Sequence, residues 1–331
     1  MKRTIYIFSN GELKRKGNTL LFEREDGSKK YLPIENTKEF MVFGEVAVNK
    51  KLLDFLSQNE VIIHFFNYYG YYSGSFYPRE HYNSGYMILK QAEHYLDQEK
   101  RLDLAKAFVE GAVANIEKVL GYYFSRGADL EAPLSSIKVI KGGLNGARSN
   151  EELMAIEGNI RDIYYRSFDE ILKSDEFSFG SRTKRPPLNR LNALISFGNS
   201  LLYTIVLSEI YKTHLDPRIG YLHATNFRRF TLNLDVAEVF KPIIVDRLIF
   251  SLLNKEMIKK KHFDEKLKGV YLNEKGRAIF VEELDKKLKS TIKHPSIGKN
   301  VSYRRLIRLE LYKIEKHLIG EKNYVPFIAR W

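Results

Sequence analysis

Near residue 85 the spacing of apolar residues changes from a period of two to one of about 3.6, which confines the chain to a β-rich first part followed by a helical second part. Before the change, the runs TIYIFS, NTLLFE, KKYLPIE, EFMVFGEVAV and VIIHFF are short and rich in β-branched and aromatic residues. Asp26-Gly27 supplies a turn between two of them. One helix is predicted to interrupt the strands from Lys50 to Gln58, where Leu52, Leu53, Phe55 and Leu56 recur at helical spacing. The stretch NYYGYYSGSFYP reads as a twisted hairpin in preference to a platform on which bases stack.

After the change, Ala105, Phe108, Val109, Ala112, Val113, Ile116, Val119 and Leu120 form one helical stripe. Ser149 and Glu152 are spaced as a capping box for a second helix, and Pro186-Pro187 precede a third running from Leu188 to about Lys212. A helix pair follows at roughly 235–257 and 301–319. Between these elements, residues 213–234 carry Pro, Gly, Asn and His without a clean period, and ordered loops of this length usually serve function. The expected class is α+β: a small β-rich domain over 1–84, then a larger all-α domain over 85–331.

Composition narrows the chemistry. The 331 residues include no cysteine, so disulfides and zinc-thiolate sites are excluded and any metal must be held by oxygen and imidazole. The apolar stretch near the N-terminus is too short for a signal core, and no uninterrupted apolar run spans a membrane, so the expected location is the cytoplasm. The net charge of +13 divides as +3 over residues 1–90, zero over 91–250 and +10 over 251–331. A basic final third containing Lys259, Lys260, Lys261, Lys286, Lys287, Lys289, Arg304, Arg305 and Arg308 suits a polyanion such as nucleic acid, or else a solvated lysine-rich surface.

Three features carry candidate chemistry. Glu157 lies in the apolar stripe Leu153, Ile156, Ile160, Ile163, Tyr164, so its helix carries a carboxylate inward, where it must meet a cation, a donor or a raised pKa. Arg161, one turn on, is the plainer partner. Asp235 and Glu238 share a helix face and can converge on one point; equally, they are acids suited to a helix start. His223 ends the block GYLH in the irregular stretch, and could be a simple hydrogen-bonded group. One neutral imidazole with carboxylate oxygens suits Mn²⁺ well and Mg²⁺ acceptably.

The blocks AIEGNIRDIYY, RPPLNRLNALISFGNSLLY, HLDPRIGYLH and LDVAEVFKPIIVDRL resemble the signature of the CRISPR-associated integrase family, the adaptation endonuclease that inserts new spacers. The similarity reaches both ends, through IYIFSNGELKRK, FGEVAVN and HFFNYYGYYSGSFYPRE, and through YRRLIRLELYKIEKHLIG and YVPFIARW. The resemblance implies that Glu157, His223 and Glu238 bind Mg²⁺ or Mn²⁺ and that Asp235 is an accessory acid. Glu238 stands where some relatives have Asp, and its longer arm still supplies a carboxylate. It implies a β-rich domain that pairs two subunits, an all-helical catalytic domain, and metal-dependent transesterification by a DNA 3′-hydroxyl, or hydrolysis when water attacks. It also implies three partners: double-stranded and branched DNA, a second copy of the chain, and the small ferredoxin-like CRISPR adaptation protein. Arg161, Arg166, Lys184, Arg185, Arg190, Arg228 and Arg229 fall near the metal blocks in sequence and are candidate phosphate contacts. The competing class is a nucleic-acid-binding protein that keeps the scaffold without the chemistry; with no Walker run in the sequence, neither class calls for a nucleotide.

Overall fold

The structure is a computed structural model describing residues 2–78, 82, 84–225, 230–266, 269–294 and 297–330. It falls into two compact units, 1–81 and 82–331.

The first unit contains β1 (Arg3–Ile7), β2 (Gly11–Lys16), β3 (Thr19–Arg24), β4 (Lys29–Leu32), β5 (Thr37–Val42), β6 (Val46–Val48), α1 (Lys50–Gln58), β7 (Ile62–Phe66) and β8 (Tyr72–Phe76). They form two four-stranded sheets ordered β1-β5-β7-β8 and β4-β3-β2-β6. β5 lies parallel to both β1 and β7, whereas β8 returns antiparallel to β7. Alternation turns Leu13, Leu20, Phe22, Phe40, Val42 and Ile63 into one core, which α1 closes with Leu52, Phe55 and Leu56. Asn49 caps α1 by accepting a hydrogen bond from the Leu52 amide. The tyrosine- and glycine-rich stretch is the β7–β8 hairpin: the Asn67 side chain accepts from the Tyr69 and Tyr71 amides across its turn.

The second unit is built from α2 (Gly85–Leu96), α3 (Gln98–Phe124), α4 (Glu131–Lys141), α5 (Asn150–Arg166), α6 (Phe168–Leu172), α7 (Arg190–Ile210), α8 (Leu232–Lys241), α9 (Arg247–Asn254), α10 (Glu274–Lys289) and α11 (Tyr303–Leu318). It is not wholly helical. Two short antiparallel ladders, Phe263–Lys266 with Gly269–Leu272 and Thr291–Lys293 with Asn300–Ser302, sit between its last helices. These four strands are three or four residues long, too short for alternation to stand out from the surrounding lysines.

Every member of the stripe expected on α3 is buried. Withdrawing a side chain such as Phe108 from water contributes about 1.5–3 kcal/mol. The buried Asn115 on the same helix donates to the carbonyls of Val239 and Phe327 and accepts from the Ala329 amide, tying α8 and the C-terminal segment to α3. α7 is long and apolar enough to cross a membrane, but it is buried on almost every side and is the core helix of this unit. Between α8 and α9 the helix widens into a π turn, Pro242–Asp246. Pro242 lacks the N–H that an α-helical ladder requires, and the wider turn absorbs that loss without a break.

Candidate metal and catalytic site

α5 begins at Ser149, whose hydroxyl accepts from the Glu152 amide, while the Glu152 carboxylate reaches back to the Arg148 amide. The helix then presents Glu157 and Arg161 on one face, four residues apart. Arg161 is largely buried and holds two acids: its Nε donates to Glu157 Oε1 at 2.6 Å and its Nη2 to Glu238 Oε2 at 2.5 Å. The other Glu238 oxygen is held by Lys241, whose Nζ also lies 4.9 Å from the centre of the Tyr203 ring. Burial alone would raise the pKa of Glu238, but the charges of Lys241, Arg161 and His223 outweigh it and hold the group well below the usual carboxylate range.

His223 reaches this site by a different route. The first turn of α8 carries Asp235, which is fully buried and accepts from the amides of Tyr221, Leu222 and His223 at 2.6, 3.1 and 3.0 Å. Its Oδ1 also lies 2.6 Å from His223 Nδ1. Burial opposes a charged imidazole here, but the hydrogen bond and charge of Asp235 prevail and raise the His223 pKa. The loop comes this close to α8 because residue 220 is glycine: a Cβ there would fall 2.7 Å from the Thr231 carbonyl carbon and 2.8 Å from Asp235 Oδ2. Other side chains fix the same loop, with Gln91 bonded to Asp216 and Ile219, and Asn150 and Arg101 donating to the Tyr221 carbonyl.

Glu157 and Glu238 therefore meet on one guanidinium, and His223 lies within electrostatic reach of Glu238. Asp235 and Glu238 do not converge on a common point as their spacing allowed; one binds the loop and His223, the other Arg161 and Lys241. Among the described residues, no three His, Asp or Glu side chains are gathered as a ligand cluster; Arg161 and Lys241 hold both oxygens of Glu238 and Arg161 one of Glu157. The donor chemistry nonetheless fits Mg²⁺ or Mn²⁺. Asp235 takes Nδ1 and leaves Nε2 for a ligand, the usual carboxylate–histidine arrangement at metal sites, while Arg161 and Lys241 balance the charge of Glu238.

Of the basic candidates, Arg161 faces inward on two acids and is not a surface grip for phosphate. Arg166 pairs with Asp162 on an exposed face, and Arg190 with Glu265. Lys184 feels both Glu157 and Glu238, while partial desolvation and the Arg182 and Lys241 charges lower its pKa. Arg185 is exposed. Arg228 and Arg229 lie outside the described residues.

Two participants were not singled out from the sequence, Lys241 and the fully buried Asp246. Both interrupt the largely apolar run VFKPIIVDRLIF, as Arg247 does, and charges set among so many apolar residues are the signal that points to them.

The chain matches the family described as CRISPR associated protein Cas1 over residues 5–286. It is 64% identical over 331 residues, the whole of both chains, to CRISPR-associated endonuclease Cas1 2 of Thermodesulfovibrio yellowstonii. Its fold matches the solved structure of TM1797, a Cas1 protein from Thermotoga maritima, with a TM-score of 0.87 and 49% identity over 98% of this chain and 100% of that one. It also matches a casposase bound to integration product, with a TM-score of 0.86 at 20% identity over 100% of this chain and 96% of that one, a likeness of fold. With half the sequence or more shared along the full length, the two-unit architecture and the blocks around Glu157, His223 and Glu238 have one explanation: this chain belongs to the Cas1 family of CRISPR-associated proteins.

Proposed function

We propose that this chain is a divalent-metal-dependent DNA endonuclease and integrase that inserts new spacer DNA into a CRISPR array. The reading rests above all on one observation: two acidic side chains from different helices meet on Arg161, beside an imidazole whose Nδ1 is fixed by Asp235. Glu157, Glu238 and His223 Nε2 are the groups that would hold Mg²⁺ or Mn²⁺. When bound, that ion would stabilise charge on the phosphorane-like transition state and lower the pKa of the attacking hydroxyl.

The chain's own residues supply the rest. Asp235 keeps the proton on Nδ1 and so presents the Nε2 lone pair. Lys184, within electrostatic reach of the two glutamates, brings positive charge to the side where a phosphodiester would approach. In strand transfer, the 3′-hydroxyl of a captured fragment forms a new phosphodiester as one in the repeat breaks, and the proton lost by the attacking hydroxyl is balanced by one gained at the leaving oxygen. No nucleotide is consumed. With water as nucleophile, the same groups support cleavage. The working form we envisage is a cytoplasmic homodimer, acting on double-stranded and branched DNA with the small ferredoxin-like adaptation protein. The presence of an integration product in a casposase of the same fold supports the strand-transfer reading.

The test is cleavage and strand transfer on branched DNA with and without Mn²⁺. We expect Glu157→Ala to abolish both reactions while DNA binding persists. Activity that survives in Glu157→Ala, or that needs no divalent ion, would remove the metal reading; binding without any activity in the unaltered protein would leave the non-catalytic alternative.

A further inference from the structure

Asp246 ends the π turn, eight residues after Glu238, and is fully buried. Neither of its carboxyl oxygens has a hydrogen-bond partner. The Tyr164 hydroxyl lies beside it and falls short of hydrogen-bond geometry as well. Arg161 is within electrostatic reach, and its Nη1 is the one nitrogen of that guanidinium that is buried without a partner. Buried polar groups left unpaired carry a penalty of about 1–3 kcal/mol each, and here a guanidinium nitrogen and a carboxyl group are both unpaired in one small region. The mismatch calls for an explanation.

The metal reading supplies one, and the inference rests on it. Glu157 and Glu238 cannot serve Arg161 and a divalent ion at full strength together, because like charges would be crowded on the same oxygens. A guanidinium released inside the protein must find another acceptor at once. We propose that Asp246 is that acceptor: a positioning residue to which Arg161 turns when Glu157 and Glu238 take a divalent cation. Along α5, Arg161 stands between Glu157 and Tyr164; along the other helix, Glu238 and Asp246 are separated by two turns. Arg161 is bonded to the glutamates and lies within electrostatic reach of Asp246, so the proposed move is a turn of its side chain from the one to the other. Burial raises the Asp246 pKa to about 7, so its carboxyl is readily kept neutral while Arg161 serves the glutamates.

The test measures Mn²⁺ affinity by titration calorimetry, independent of activity, in the full chain and in Asp246→Asn, Arg161→Met and the double variant. We expect Asp246→Asn to keep or raise the metal-free melting temperature, since it removes an uncompensated buried carboxyl, and to weaken Mn²⁺ binding by tenfold or more. In the Arg161→Met background the competing cation is gone, so Asp246→Asn should then change affinity by less than twofold. Equal weakening in both backgrounds, or none in either, overturns the proposal while leaving the metal site standing. Absence of Mn²⁺ binding that depends on Glu157 in the unaltered protein overturns both. Should the substitutions unfold the chain, a structure of the unaltered protein with Mn²⁺ gives the same reading: Arg161 on Asp246 is expected, and Arg161 still on Glu238 refutes it.

Discussion

At the scale of single residues, the spacing of Asp235 and Glu238 put them on one face of a helix opening at Asp235, whereas α8 opens at Leu232 and spacing alone could not assign their partners. Asp235 accepts three backbone amides and the His223 ring, all from a loop that lies twelve to fourteen residues earlier. That contact sets a pH dependence. Asp235 raises the His223 pKa above its ordinary value of about 6.5. In the metal-free protein the pair therefore stabilises the fold at low pH, and this contribution fades as pH rises through the raised pKa. Metal ligation has the opposite sign because it needs the neutral ring. Mn²⁺ affinity measured from pH 8 down to 5.5 should begin to fall before an unperturbed histidine would protonate. Asp235→Asn should move that fall to lower pH and, by losing the orienting carboxylate, weaken affinity by about 10–100-fold. A flat affinity profile over this range would count against His223 as a ligand.

At the scale of elements, the longer helices α3, α5, α7 and α11 and most strands of the first unit were legible because their apolar periods are clear, as on α3, whereas α4 and α10 were not singled out. The loop before α8 was recognisable only as irregular. What orders it is a set of side chains from α2, α3, α5 and α8, of which only α8 adjoins it in sequence, so no local pattern could display them all. Asn150 is an informative probe because it lies at the start of α5, away from the carboxylates, and donates to the carbonyls of Tyr221 and Leu222. Asn150→Ala should cost about 1–2 kcal/mol of stability. It should also speed hydrogen exchange at the amides of Tyr221, Leu222 and His223 more than on α3. Gly220→Ala should do more harm, since its new methyl group meets backbone atoms of Thr231 and Leu232 that cannot yield without displacing the start of α8. Exchange at the three loop amides that stayed unchanged in both variants would show that the loop is ordered by other means.

At the scale of the whole molecule, the concentration of positive charge in the last third read as an external, polyanion-seeking surface, and the folded chain uses part of it internally. Glu209, on the buried core helix α7, is held by Arg304 and Arg308 from α11 and by Lys212. Lys259, Lys286 and Lys289 pair with acids three or four residues away on the surface, where water and salt screen each pair and leave it free to exchange for phosphate. Sequence counting treats these cations alike, whereas burial separates them. Glu209→Ala should therefore lower stability by about 3–5 kcal/mol, because it leaves two guanidinium groups partly buried without their acid. Arg308→Ala should likewise act on the melting temperature, with little effect on the slope of log affinity for DNA against log salt. Lys184→Ala should do the reverse. Its ammonium lies near the glutamates, and if it meets one phosphate there, its loss should make the slope shallower by about one while the melting temperature holds. Were Arg308→Ala to flatten the salt dependence as much as Lys184→Ala, the division between an internal and an external basic set would be wrong, and α11 would have to be counted as part of the DNA-binding surface.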